Sequence, residues 1–206
     1  MAETRFSETV AKHYSRYVQI SPSHIEVIAG AVMTRQPNCN FLVFGLGYDT
    51  PMWVALNSSG RTLFVESSDT WITNTKAKVP GLNAWKGPYD GVTVASSLEA
   101  PLTVMAQAVV PEFLRFAKWD VILIDGPEGG LPTSPGRGLP ISWASALRSP
   151  ETHIFVHDYE RKLETLFTDR LLRDAGPYTV IGGPTRKLFW SIGVSETFTG
   201  TKPAKQ

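Results

Sequence analysis

Asn40-Phe41-Leu42-Val43-Phe44-Gly45-Leu46-Gly47-Tyr48-Asp49 runs from an unbroken apolar stretch straight into a glycine turn. A short apolar run bounded by turn residues reads as a strand buried on both faces, as strands of a parallel sheet are. Gly45 and Gly47 carry no Cβ, so the turn can be tight and backbone can approach a ligand where a side chain would clash. Residues 50–58 then read as a helix, with Met52, Trp53, Ala55 and Leu56 available to the core.

The same grammar extends both ways. Upstream, Ser21-Pro22-Ser23 opens a helix over 23–35, with Glu26 at capping-box spacing from Ser23 and with Ile25, Ile28, Ala29 and Val32 facing inward. Residues 3–19 are mixed polar and aromatic. Downstream, residues 62–66 form a second apolar strand that ends in Glu66, and 68–78 a short helix. The stretch 84–94 is ambiguous, with a third strand expected near Gly91-Val92-Thr93-Val94. A helix is expected over 103–118, then a strand over 119–125 that ends in Asp125. Residues 126–140 are rich in Gly and Pro and read as a long loop. Further on come a helix near 141–148, a strand over 152–158, an amphipathic helix over 159–174, and a closing strand pair, 178–181 and 187–192, around Gly182-Gly183-Pro184. The tail from Ser195 is polar. Alternating strands and helices predict one α/β domain over 1–206, with a mostly parallel sheet and helices on both faces.

Composition narrows the function classes. Twenty basic against 19 acidic residues leave a formal net charge of +1, which gives no electrostatic reason to expect nucleic acid or a membrane surface as partner. A single cysteine, Cys39, excludes an intrachain disulfide, and with no activating motif around it the residue reads as a buried structural thiol. The first eight residues are charged where a signal peptide needs an apolar core, and no run of apolar residues is long enough to span a bilayer. The expectation is a cytoplasmic protein, or a Golgi one if the chain is trimmed from a longer, anchored form.

In an open α/β sheet, ligands sit beyond the carboxyl ends of the strands. Four such ends here carry chemistry: Gly45 to Asp49, Glu66, Asp125, and His157-Asp158. Glu66 lies about 20 residues beyond the glycines, where nucleoside-binding folds place an acid to accept hydrogen bonds from ribose hydroxyls. An NAD site would use the same pair, but the third glycine of the dinucleotide fingerprint is missing and the chain is short, which favours S-adenosylmethionine. Asp125 and Asp158 end strands expected to be neighbours. With His157 beside them they can hold a divalent metal ion, and without one any of the three can serve as general base. Each also has a plainer use, Asp125 as cap of the following loop and Asp158 as cap of the following helix. Arg137 in the long loop can clamp a carboxylate or phosphate of a substrate, or stand exposed in solvent. Trp53 reads as packing, whereas Trp71, Trp85 and Trp143 fit either a sugar cleft or the core.

The ordered motifs resemble a known family. Asn40 through Trp53, Leu63-Phe64-Val65-Glu66, Trp119 through Pro127, Pro135-Gly136-Arg137 and Thr152 through Asp158 are similar to the glucuronoxylan 4-O-methyltransferases and the irregular-xylem proteins of xylan synthesis. The resemblance covers roughly residues 38–192 and is loose between Glu66 and Trp119. It implies a Rossmann-like class I methyltransferase fold and methyl transfer from S-adenosylmethionine to a hydroxyl of a sugar acid on a glycan, or of a small metabolite. On that pattern Gly45, Gly47 and Asp49 hold the methionine end of the cofactor and Glu66 its ribose. Asp125, also at the cofactor, joins His157 and Asp158 in facing the acceptor, through a divalent ion if Asp125 and Asp158 bind one. Arg137 meets a uronate. Methylation at nitrogen or sulfur without a metal, and a non-catalytic scaffold, are the rival readings.

Overall fold

A computed structural model describes residues 2–183 and 185–193, with side chains from Glu8 onward. Among the described residues, seven strands make one sheet: β1 (Asn40–Phe44), β2 (Arg61–Glu66), β3 (Ala84–Lys86), β4 (Val121–Ile124), β5 (His153–His157), β6 (Tyr178–Gly182) and β7 (Lys187–Ser191). Their order is β3-β2-β1-β4-β5-β7-β6. The first five are parallel, and β7 inserts antiparallel between β5 and β6. Because the chain runs outward in one direction from β1 to β3 and in the other from β4 onward, the order reverses between β1 and β4. That is where an open sheet leaves a crevice at its carboxyl edge.

The unbroken apolar runs are explained by burial on both faces. Leu42, Phe44, Leu63, Val65, Ile122, Ile124, Ile154 and Val156 join one core cluster with Trp143 and Phe167, from helices α7 (Gly138–Leu147) and α8 (Lys162–Leu171). Their alternates Phe41, Val43, Phe64, Val121, Leu123 and Phe155 join a second cluster with Ile25, Ile28 and Val32 of α2 (Pro22–Thr34) and with Met52 and Trp53 of α3 (Thr50–Leu56). Each fully buried large apolar side chain contributes about 1.5–3 kcal/mol of transfer free energy, so two continuous layers on one sheet hold the strand ends in fixed relation. Cys39 lies in the second layer, and burial, with Asp120 nearby, pushes its thiol up to about 12. That thiol is inert near neutral pH.

Several boundaries differ from the sequence reading, each for a local reason. The third strand is Ala84–Lys86 rather than 91–94. Thr93 and Ser96 cap each other's backbone at the start of α5 (Val94–Glu99), and these reciprocal bonds draw β-branched residues into a helix start. The helix expected over 103–118 is only α6 (Pro101–Gln107); Pro111 cannot continue it and disfavours helical backbone at the residue before it. A 3-10 turn at Glu112–Leu114 follows, with the Leu114 carbonyl accepting from Trp119 Nε1 at 2.9 Å. Helix α2 is capped by Ser21, whose hydroxyl accepts from the His24 N–H, so Ser23 and Glu26 form no capping box there. Helix α8 is shorter than 159–174, and α7 begins inside the expected loop. An N-terminal helix α1 (Ala2–His13) and a helix α4 (Asp69–Lys78) complete the set. Pro184 and the tail from Ser195 lie outside the described residues. No helix among the described residues is long and apolar enough to cross a membrane.

Candidate active site

At the end of β1, Gly45 has φ +108°, a left-handed backbone that favours glycine. A Cβ on Gly45 would lie 2.9 Å from the backbone nitrogen of Gly126, and a Cβ on Gly126 would lie 2.5 Å from Cα of Gly45. The two glycines therefore let the exits of β1 and β4 touch, so the close approach is filled by a second strand end. Beyond Gly45, the Leu46 N–H donates to Glu66 Oε2 at 2.8 Å. Glu66 Oε1 accepts from the Ser67 N–H at 2.6 Å, the Ser67 hydroxyl at 2.9 Å and the Ser68 N–H at 2.8 Å. One buried carboxylate thus joins the glycine turn to the start of α4, where Ser68 caps the helix. Four donors already aimed at Glu66 fix its orientation at the crevice rim.

Asp49 closes this half. Its Oδ2 accepts from Trp53 Nε1 at 2.7 Å, one helical turn on. Burial, then the neighbouring charge of Asp125, push its carboxyl up to about 6. The Gly47 N–H donates to Thr50 Oγ1 at 3.0 Å, which tightens the turn ahead of α3.

The other half lies at the ends of β4 and β5, which run side by side in register. His157 Nδ1 and Asp125 Oδ1 are 2.7 Å apart. The imidazole is fully buried and the Asp125 side chain is 22% exposed, so the carboxylate is the member of the pair that meets the crevice. Burial alone would raise the Asp125 pKa. His157, then Arg137 and Arg186, outweigh it and hold the carboxyl below its ordinary value. Asp158 follows in left-handed backbone, φ 57°, an uncommon state for a residue with a Cβ. Its carboxylate is buried and ion-pairs with Arg137 at 3.0 Å, Arg161 at 2.8 Å and Arg186 at 3.1 Å.

Arg137 is brought to this place from the Gly/Pro loop, but its side chain is only 5% exposed. Its guanidinium donates to the carbonyls of His157 at 2.6 Å and Asp125 at 2.9 Å and lies 3.3 Å from the Asp125 carboxylate. It ties the two strand ends together. A bidentate clamp on a substrate would take donors from those bonds.

Asp125, His157 and Asp158 each offer one ligand atom, all within 4.8 Å of one another, and two carboxylates with an imidazole are a sound donor set for a divalent cation. In the arrangement described, His157 Nδ1 is engaged by Asp125, and Asp158 by three guanidinium groups. A cation would compete with both. Arg161 and Arg186 were not singled out in the sequence. His24 is a buried histidine whose ring packs edge-on to His157 at 5.6 Å between centroids, its pKa lowered by burial and by His157. The Arg161 to Asp158 spacing of three residues was the one signal available. Trp53 and Trp143 are buried, while Trp71 and Trp85 are exposed at 40% and 53%.

Comparison with known proteins identifies the family and the fold. The model of the IRX15/IRX15L/GXM family matches residues 23–109 and 96–176. Glucuronoxylan 4-O-methyltransferase 1 of Arabidopsis thaliana is 33% identical over 183 residues, 78% of this chain and 65% of that protein. Arabinogalactan O-methyltransferase 2 of Arabidopsis thaliana is 32% identical over 180 residues, 75% of this chain and 61% of that protein. The chain thus spans a little under two thirds of the length of these relatives. Among solved structures, an O-methyltransferase from Bacillus cereus in complex with SAH is similar with a TM-score of 0.54 at 16% identity, covering 93% of this chain and 90% of that one. A putative caffeoyl-CoA O-methyltransferase from Staphylococcus aureus is similar with a TM-score of 0.55 at 12% identity, covering 93% and 92%. The fold is the Rossmann-like class I methyltransferase fold.

Proposed function

Since the chain belongs to the IRX15/IRX15L/GXM family, we propose that it is an S-adenosylmethionine-dependent O-methyltransferase, acting as one domain on a hydroxyl of a sugar acid carried by a glycan or a small molecule. The observation that carries the reading is the pairing of Glu66 with the glycine turn through Leu46 N–H, next to Asp125 at the neighbouring strand end. An oriented acid for ribose hydroxyls and an oriented acid for an acceptor proton stand on either side of the strand-order reversal. Glucuronoxylan and arabinogalactan in the names of the relatives support a glycan acceptor.

The cofactor supplies a methyl group on a sulfonium, ready for in-line displacement. Residues of this chain do the rest. Glu66 accepts ribose hydroxyls, the turn from Gly45 to Gly47 bounds the methionine end, and Asp49 closes the floor behind it. A sugar hydroxyl does not ionise near neutral pH, so its proton must go to a base as the new C–O bond forms. Asp125 receives it, since its carboxylate is the exposed member of the pair. Held below its ordinary pKa it is a weak but always ionised base, and His157 behind it fixes the carboxylate by the 2.7 Å contact. Positioning therefore carries more of the rate than proton affinity does.

A second reading gives Asp125, His157 and Asp158 to a divalent cation that would bind the acceptor oxygen and lower its pKa, favoured by their grouping within 4.8 Å. One assay addresses both. The protein is incubated with methyl-labelled S-adenosylmethionine and glucuronate-bearing xylan fragments, with and without EDTA. Transfer that survives EDTA and is lost in Asp125→Asn supports the base. Transfer lost in EDTA and restored by added metal supports the cation. No transfer to sugar hydroxyls, with methyl going to nitrogen or sulfur acceptors or to none, overturns the O-methyltransferase reading.

A further inference from the structure

Three guanidinium groups converge on Asp158, and they are not equivalent. Both terminal nitrogens of Arg137 are engaged internally, by two carbonyls and two carboxylates. Arg161 and Arg186 have side chains 31% and 29% exposed, and among the described residues each meets one acceptor, Asp158, through one terminal nitrogen. A guanidinium carries five donors, so each has an unused edge. Asp158, itself 1% exposed, anchors both from below. Its backbone is left-handed, φ 57°.

The charges nearby form one network: Asp158 meets Arg137, Arg161 and Arg186, and Arg137 also reaches Asp125. Glu164 lies buried beside Arg137 and Arg161, and burial raises its pKa and disfavours its charged form. Glu160 spends Oε2 on the Lys187 N–H at 2.7 Å. Arg186 also acts on Asp125 electrostatically, and Arg137 links Asp125 to the Asp158 carboxylate on which Arg161 and Arg186 meet.

We propose that Arg161 and Arg186 form a carboxylate-recognition site beside Asp125, which selects acceptors bearing a uronate and presents their hydroxyl to that residue. The inference rests on the methyltransferase reading and adds the specificity device. It moves the uronate contact from the buried arginine of the loop to two arginines contributed by the start of α8 and the entry of β7. Paired forked donors suit a carboxylate better than two ammonium groups would, because each can bond both oxygens in a plane.

The test compares two ligands on the unaltered protein by calorimetry, in the presence of S-adenosylhomocysteine. One is a glucuronate-bearing xylan oligosaccharide, the other the same oligosaccharide with its carboxyl reduced to a hydroxymethyl. At least tenfold tighter binding of the acid is expected. The variants Arg161→Lys and Arg186→Lys keep the charge on Asp158 but lose the fork, and each should cut the preference for the acid several-fold while thermal midpoint and S-adenosylhomocysteine affinity stay within error. Equal binding of both ligands, binding of neither by a protein that holds S-adenosylhomocysteine, or an undiminished preference in both lysine variants would overturn the proposal. Failure to bind S-adenosylhomocysteine at all would instead strike the methyltransferase reading beneath it.

Discussion

The two halves of the crevice are built by opposite means. On the β1–β2 side, every functional contact is short in sequence or crosses one strand step: Leu46 to Glu66, Glu66 to Ser67 and Ser68, Asp49 to Trp53. The groups are neutral donors around single carboxylates. On the β4–β5 side, Asp125, Arg137, His157, Asp158, Arg161 and Arg186 come from four separate segments and meet as ion pairs. Under the proposed function, backbone amides and one acid hold a constant cofactor on the first side, and long, paired side chains meet a charged acceptor on the second.

The sharpest way to break this contrast is Asp125→Asn. If the β4–β5 side does the chemistry and the β1–β2 side the holding, methyl transfer should fall by about a thousandfold, some 4 kcal/mol of barrier, with S-adenosylhomocysteine affinity nearly unchanged. Parallel loss of both in titration and turnover assays would mean that the halves are not separable. Next in size is Arg137→Met. It leaves Asp158 with one fewer partner and two buried carbonyls without donors, so chemical denaturation should show a loss of about 3 kcal/mol. A neutral result would place Arg137 among the exchangeable arginines.

Between the halves stands the contact of Gly45 with Gly126. Gly126→Ala puts a methyl against Cα of Gly45 and should cost about 2 kcal/mol, read from the urea midpoint, because backbone on both sides must move. The smallest expected effect is Asp49→Asn. With the folded carboxyl near 6 and the unfolded one near its ordinary value, the native state binds more protons between those values, so stability falls as pH rises from about 4 to 6. Removing the charge should recover about 1 kcal/mol at pH 7.5, with the Trp53 bond kept by the amide oxygen. An unchanged or steeper pH profile of the thermal midpoint would show that Asp49 is not the titrating group.

How much of this was legible in the sequence follows the same division. The strand over 40–44, its glycine turn and Glu66 were readable because burial on both faces and a tight turn leave local marks. Asp125 and His157-Asp158 were readable as strand-end polar residues, yet their geometry was not, since nothing local reveals that Asp158 turns left-handed and collects three arginines. Arg186 was not singled out because ion pairing across 28 residues leaves no local mark, and for Arg161 the three-residue spacing from Asp158 was the one signal available. The misplaced third strand has a separate cause: Val92-Thr93-Val94 has strand composition, and a capping box overrode it. Helix α6 ended at Gln107, with Ala108 already outside helical backbone, and Pro111 bars the helix from resuming across the rest of the window.

The most direct measurement is a calorimetric titration of the purified protein with S-adenosylmethionine, repeated on Glu66→Ala with its thermal midpoint checked. Saturable one-to-one binding is expected, weakened at least tenfold, about 1.4 kcal/mol, in a variant that remains folded. A folded protein that takes up no S-adenosylmethionine, or one whose affinity is indifferent to Glu66, would contradict the assignment of the β1–β2 strand ends as the cofactor site.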